Sequence, residues 1–243
     1  MTAPPFAGHN IRLADGSETL PGTPLIAENG ITQAALRMLS VCLPLRHGER
    51  RPLVADLGCL EGGYAVAFAR AGYQVVGWEA RESNHAKCVH VQQRTEPLPL
   101  LFTRGDVRDL EASGTFDAVF CAGLLYHLDA PDEFLRMLGR VTARLLIVQT
   151  HFATWTDTVH EGRRGHWYAD NPQEADPFGS HVNPQSFWMA PEDLMQAIRD
   201  AGFGVVLRQY DYLESIVDGP QGIAHPLNPC GGSDRGMFIG IKP

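Results

Sequence analysis

The chain lacks any excess of positive charge: its 243 residues carry a formal net charge of −8 with a pI near 5.6, so no global field exists to gather a polyanion. Nucleic acid is therefore a disfavoured partner, although Arg46 to Arg51 and Arg163-Arg164 form short basic clusters of the kind that usually sits solvated on a surface. Paired cysteines are lacking as well. The five cysteines, Cys42, Cys59, Cys88, Cys121 and Cys230, are odd in number and include no C-x-x-C, which speaks against a disulfide framework and against a zinc knuckle. No apolar run approaches the roughly 18 residues that cross a bilayer, and MTAPPFAGHN has no basic stretch followed by an apolar one. The expectation is a reduced, soluble, cytoplasmic protein with no membrane partner. Repeats and low-complexity tracts are absent too. What is present is a chain 44% hydrophobic and 20% charged, enough for one sizeable core and a single domain over residues 1–243.

One further absence directs the functional reading. A pyrophosphate needs G-x-G-x-x-G so that helix amides can face its charge, and this chain has none. Residues 53–79, LVADLGCLEGGYAVAFARAGYQVVGWE, instead read as strand, glycine turn, helix and strand. Asp56 precedes Gly58, and Glu61 lies inside the loop before Gly62. Both carboxylates would repel a phosphate and favour a cationic ligand. The second strand ends in Glu79, roughly 20 residues after Gly58, where an acid suits the two hydroxyls of a ribose. A nucleoside cofactor other than a dinucleotide is the first expectation.

The loop D-x-G-x-x-x-G resembles motif I of the class I S-adenosylmethionine-dependent methyltransferases. FDAVF followed by GLLYHL, residues 116–120 and 123–128, resembles the region after strand four in many of them, including the tRNA wobble-uridine carboxymethyltransferase group and its small-molecule relatives. The resemblance covers about residues 50–213 in order. It implies an α/β, Rossmann-like fold: a seven-stranded, mostly parallel sheet with helices on both faces and a terminal antiparallel strand. S-adenosylmethionine is the implied cofactor, bound by Asp56, Gly58, Cys59, Gly62, Glu79, Ala80, Asp106, Val107, Cys121, Ala122 and Gly123, with Asp106 accepting the adenine amino group. The usual Pro-Gly-Gly turn before strand five is replaced by Val141-Thr142-Ala143-Arg144, a changed loop.

Along the chain, residues 1–49 read as an arm with a turn at Asp15-Gly16 and a cap helix from Ile31 to Leu43, stopped by Pro44. Such arms often lie over the cofactor in the resembled family, so His9 and Asn10 belong either to a lid or to a tail covering a sheet edge. Residues 50–150 form the cofactor-binding half, with Ser83 capping a helix that runs to Arg94, a strand Phe116 to Cys121, a helix from Pro131 and a strand Leu145 to Val148. Residues 151–190 lose periodicity but hold Trp155, Trp167 and Trp188, too much aromatic surface for a disordered linker. An ordered cover over the substrate is expected there. Residues 191–243 supply a helix from Pro191 and two strands, Val205 to Leu213 and Met237 to Ile241, joined by a loop over 214–236.

The methyl group of the cofactor is activated by its sulfonium, so a base is needed only for an acceptor that keeps its proton, such as a hydroxyl. His127 and His151 follow strands four and five and are the candidate bases. Tyr126, Arg163, Arg164 and Trp188 are the candidate acceptor contacts. His160, His166, His181 and His225 read as loop histidines, and no metal site is expected. N-P-P-Y is lacking, as is a lysine-and-acid set of the catechol type. The reading is methyl transfer to a small polar metabolite, at oxygen. Its rivals are a tRNA methyl- or carboxymethyltransferase and a non-catalytic cofactor-binding interaction protein. Oligomeric state stays open.

Overall fold

The computed structural model describes residues 4–169, 185–210 and 234–243. The arm folds back through the Asp15-Gly16 turn, bridging Arg12 to Glu18, and is more than an appendage: Ile11 and Ile26 join a buried cluster with Phe68. Helix α1 (Gly30–Cys42) follows, its first amides capped by the Asn29 side chain, and buries Ala34, Ala35 and Leu39. Then come β1 (Leu53–Leu57), α2 (Gly63–Arg70), β2 (Gln74–Glu79), α3 (Glu82–Arg94) and β3 (Leu100–Arg104). The expected cap Ser83 lies inside α3. Glu79 Oε1 accepts the Arg81 amide at that helix start instead, at 2.8 Å.

β4 (Phe116–Ala122) leads through a 3₁₀ turn at Leu125–His127 to α4 (Pro131–Val141), which passes directly into β5 (Thr142–His151). The loop expected over 141–144 does not exist. A register irregularity where Phe116 pairs with Thr142 accommodates the junction. β5 extends beyond Leu145–Val148 because a later strand pairs with it from Leu145 to His151. The expected cover contains a second, antiparallel sheet of β6 (Thr158–His160), β7 (Arg163–Ala169) and β8 (Gln185–Met189). Strand periodicity is hidden there because polar, charged and aromatic residues occupy both faces of β7. Helix α5 (Pro191–Asp200), β9 (Val205–Gln209) and β10 (Arg235–Ile241) close the chain. The last residues of the expected strand 205–213, most of the 214–236 loop, His181, His225 and Cys230 lie outside the described residues.

The main sheet has the order β3-β2-β1-β4-β5-β10-β9, with β10 antiparallel to both neighbours and the pairs from β3 to β5 parallel. Its strands are apolar on both faces, as expected where helices cover each. In β4, Ala118 and Phe120 join the cluster beneath α1, α2 and α3, while Val119 and Cys121 join the one beneath α4 and α5. The chain reverses direction across the sheet between β1 and β4. That leaves a crevice outside their carboxyl ends, where open α/β sheets take ligands. Among the described residues no helix is long and apolar enough to cross a membrane.

Candidate active site

A cavity of about 450 Å³ opens at that crevice, within the range of small-ligand and cofactor sites. Each strand end contributes to it in turn: Gly58 after β1, Glu79 and Ala80 after β2, Asp106 and Val107 after β3, Ala122 and Gly123 after β4, and Gln149 on β5. These residues meet because the parallel strands end side by side. Tyr126 and His127, on the 3₁₀ turn beyond β4, line the same space.

Glu79 is buried, and its carboxylate accepts one backbone amide on each oxygen: Leu60 at 2.9 Å and Arg81 at 2.8 Å. Leu60 has a left-handed φ of 54°, so the Glu79 bond holds a strained turn of the glycine loop in place. Asp106 sits at the start of the 3₁₀ segment Val107–Ser113 and is gripped by the Arg108 guanidinium, which holds its carboxyl below the usual aspartate range. Gly58 has a φ of 66°, and a Cβ built there would meet only Leu124, at an ordinary 3.6 Å; its backbone shape is what requires glycine.

Four expected cofactor residues do not line the cavity. Gly62 packs against β3, where a Cβ would come within 2.5 Å of the Phe102 ring. Cys59 is buried with its Sγ 3.8 Å from Cys88 Sγ, and Cys121 is buried in the core; burial pushes both Cys59 and Cys121 thiols up. Asp56 is also buried beneath the loop. Burial pushes its carboxyl up to about 7, with the Ala65 amide opposing and Glu79 reinforcing the rise, and Oδ2 has no partner among the described residues. Glu61 likewise turns away from the cavity, where Lys87 Nζ reaches it at 2.8 Å, so it does not offer the ligand the negative charge expected of it.

The acceptor candidates separate in the same way. Tyr126 Oη accepts from Arg235 at 2.8 Å, and Arg235, on β10, also lines the cavity. His151 does not line it. Its Nδ1 lies 2.8 Å from Asp234 Oδ1, and its ring stacks on Trp188 at 4.6 Å and meets Tyr126 edge-on. Burial, then the charge of Arg235, lowers the His151 pKa against the opposing pull of Asp234. Trp188 stands behind Tyr126: its indole N–H donates to the Tyr126 carbonyl at 2.9 Å, and its other face stacks on Tyr168. Arg163 and Arg164 are not at the cavity, because carboxylates on the helices claim both guanidinia. Arg163 donates to Asp132 and Asp200, and Arg164 to Asp193. His9, read from sequence as part of a lid or an edge cover, lines the cavity, and polar residues missed from sequence are Tyr64, Arg81, Asn84, Arg108, Gln149 and Arg235. Of these only Gln149, a polar break in the apolar run of β5, carried a local signal. Among the described residues no group of three or more His, Cys, Asp or Glu is placed to hold a metal ion.

Sheet order, strand-end cavity and acidic β2 terminus are those of the fold that class I S-adenosylmethionine-dependent methyltransferases share. Residues 55–145 match the family model of the methyltransferase domain. A sequence search of curated proteins gave no significant match. Among solved structures, the N-terminal domain of EvdMO1 with S-adenosylhomocysteine bound is 23% identical, with 89% of this chain covering 82% of that one at a TM-score of 0.68. The same domain in the presence of S-adenosylhomocysteine and D-fucose gives 22% identity, 94% and 88% coverage and a TM-score of 0.70. Magnesium protoporphyrin IX methyltransferase from Synechocystis PCC 6803, with S-adenosylmethionine bound, is 15% identical over 88% of this chain and 80% of that one, TM-score 0.53. The 1,6-didemethyltoxoflavin-N1-methyltransferase of Burkholderia thailandensis is 16% identical over 88% and 79%, TM-score 0.57.

The residues present fit that cofactor and disfavour a dinucleotide. The loop amides that would face a pyrophosphate are already used: Leu60 N–H by Glu79, Gly62 N–H by the Cys59 carbonyl and Gly63 N–H by His9 Nδ1. Glu79 meanwhile offers a ribose acceptor.

Proposed function

We propose that the chain methylates an oxygen of a small polar metabolite. The observation that carries this reading is that Tyr126, His127 and Arg235 line the same cavity as Glu79 and Asp106. One enclosure thus sets the groups proposed for ribose and adenine beside a second set suited to a polar acceptor. Among the structural neighbours, the EvdMO1 domain was crystallised in the presence of a sugar, and the toxoflavin and protoporphyrin enzymes are named for small-molecule substrates. Those likenesses support the small-molecule class. The net charge of −8 is consistent with it.

When bound, S-adenosylmethionine supplies a methyl group already made electrophilic by its sulfonium. In this reading Glu79 holds the ribose hydroxyls, Asp106 the adenine amino group, and the backbone at Gly58, Ala122 and Gly123 lies close to the ligand. His127 takes the proton from the acceptor hydroxyl, a role imidazole performs near neutral pH. Tyr126, held by Arg235 on one side and Trp188 on the other, shapes the acceptor wall. Excluding water is the remaining task, and the small sheet behind Tyr126 contributes to it.

The test is incubation with methyl-labelled S-adenosylmethionine and a metabolite extract, with and without ribonuclease. Label should appear in a small molecule as an ether or ester, whatever the ribonuclease treatment. Label in RNA, or on nitrogen, would overturn the reading.

A further inference from the structure

The arm and the glycine loop are joined by a contact that the chemistry above does not use. Glu61 is 1% exposed, and its carboxylate accepts three consecutive arm amides, Ala7 at 2.8 Å, Gly8 at 3.0 Å and His9 at 2.8 Å, besides Lys87. Burial works to raise the Glu61 pKa, but Lys87 and these amides outweigh it and hold the group ionised. Three successive amides converging on one carboxylate fix the backbone path of residues 7–9. The approach is close: a Cβ on Gly8 would lie 2.6 Å from Leu60 Cδ2.

His9 is thereby pinned over the start of α2. Its Nδ1 accepts the Gly63 amide at 3.0 Å, and a ring nitrogen that accepts carries no proton. Burial lowers the His9 pKa to about 4, against the pull of Glu61, so the ring is neutral at working pH and its proton is on Nε2. That N–H has no partner among the described residues, although the side chain is 6% exposed and lines the cavity edge-on to Tyr64. An N–H left open at the wall of a ligand cavity can donate to an acceptor that the ligand supplies. Along the row of strand ends, Glu79 and Asp106 stand on the β2 and β3 side and would repel a carboxylate. His9 stands over the loop after β1.

We propose that His9 is a cofactor-binding residue, positioned by Glu61, whose Nε2–H donates to the carboxylate at the amino-acid end of S-adenosylmethionine. The inference rests on the cofactor assignment and extends it to the arm.

Calorimetry with two ligands tests it, because S-adenosylhomocysteine has the amino-acid end and 5′-methylthioadenosine keeps the ribose and base without it. His9→Asn retains an acceptor for Gly63 but loses the Nε2 donor. It should weaken S-adenosylhomocysteine about tenfold and leave 5′-methylthioadenosine within about twofold. His9→Gln, which restores a donor near the Nε2 position, should recover most of the loss, and Glu61→Gln should show the same ligand selectivity as His9→Asn. The unaltered protein gives a variant-free check: decarboxylated S-adenosylhomocysteine should bind about tenfold more weakly than the parent. Equal weakening of both ligands by His9→Asn would make the role structural and overturn the proposal, as would no weakening of either or no preference for the carboxylate. Failure of the unaltered protein to bind either ligand would instead refute the cofactor assignment.

Discussion

Glu79→Ala is the most informative single change, because this carboxylate has one duty in the fold and a second, proposed at the ribose, and the two can be measured apart. In the folded chain it accepts the amides of Leu60 and Arg81, one on each oxygen. The Leu60 turn has a φ of 54°, a conformation a leucine adopts only under constraint. Removing the carboxylate strands two amides and frees that turn, at a net cost of about 1 kcal/mol per bond. Loss of like-charge pressure on Asp56 offsets a little of this. The melting temperature should therefore fall by about 4–8 °C, as expected for roughly 2 kcal/mol in a domain of this size. The proposed second duty is at the ribose. Hydrogen bonds to a charged group contribute about 1.5–3 kcal/mol, so cofactor affinity should fall about 10- to 100-fold. Because the lost contact is to the ribose, S-adenosylhomocysteine and 5′-methylthioadenosine should weaken together, unlike the pattern expected for His9. Calorimetry and thermal melting on the same preparations decide the matter. A folded Glu79→Ala protein whose dissociation constants stay within about twofold would remove Glu79 from the ribose site.

Three other tests probe different parts of the molecule. His127→Ala should lower turnover of an oxygen acceptor at least about 100-fold with S-adenosylhomocysteine affinity unchanged, whereas His151→Ala should cost far less because His151 does not line the cavity; the reverse ranking in single-turnover assays would move the base to His151. Trp188→Phe keeps a ring against His151 and Tyr168 but loses the bond to the Tyr126 carbonyl, so acceptor KM should rise severalfold with cofactor affinity within a few-fold; a matching loss of cofactor binding would show that the small sheet supports the cofactor side instead. Asp56→Asn tests the buried acid. Its folded-state pKa, raised to about 7, lies above the unfolded value near 3.9, so its stabilising contribution is complete below about pH 4 and is lost as pH climbs through 7. The asparagine protein should thus melt with the parent at pH 4 and several degrees above it at pH 8, and a pH-independent difference would contradict a buried, proton-binding carboxyl.

The strand ends were legible because parallel strands announce themselves as short apolar runs, and the residue that ends each run must fall in the crevice. Gly58, Glu79, Asp106 and Ala122 were found in that way, and all four line the cavity. Gly62 shows the limit. Its φ is positive, like that of Gly58, but what surrounds it is Phe102 on β3, a neighbour supplied by sheet order and not by local spacing. The histidines after β4 and β5 read alike in sequence. They separate only because the turn at Leu125–His127 delivers His127 to the cavity, while β10 sets Asp234 and Arg235 opposite the end of β5 and draws His151 to Asp234.

Charge was the least legible feature, because a sequence shows a charged group without its partner. Arg163-Arg164 read as an anion clamp, but alternation along β7 buries the first against Asp132 and Asp200 and leaves the second outside against Asp193. Burying a guanidinium is unfavourable unless carboxylates meet it, so two acids on α4 and α5 decide where Arg163 lies. The same reasoning reverses the reading of Glu61. Inside a glycine loop a carboxylate appears aimed at the ligand, but one that can collect three backbone amides and a lysine gains more by turning to the arm. The negative charge that first seemed to choose the cofactor instead fixes the arm, and the ligand meets what the arm presents.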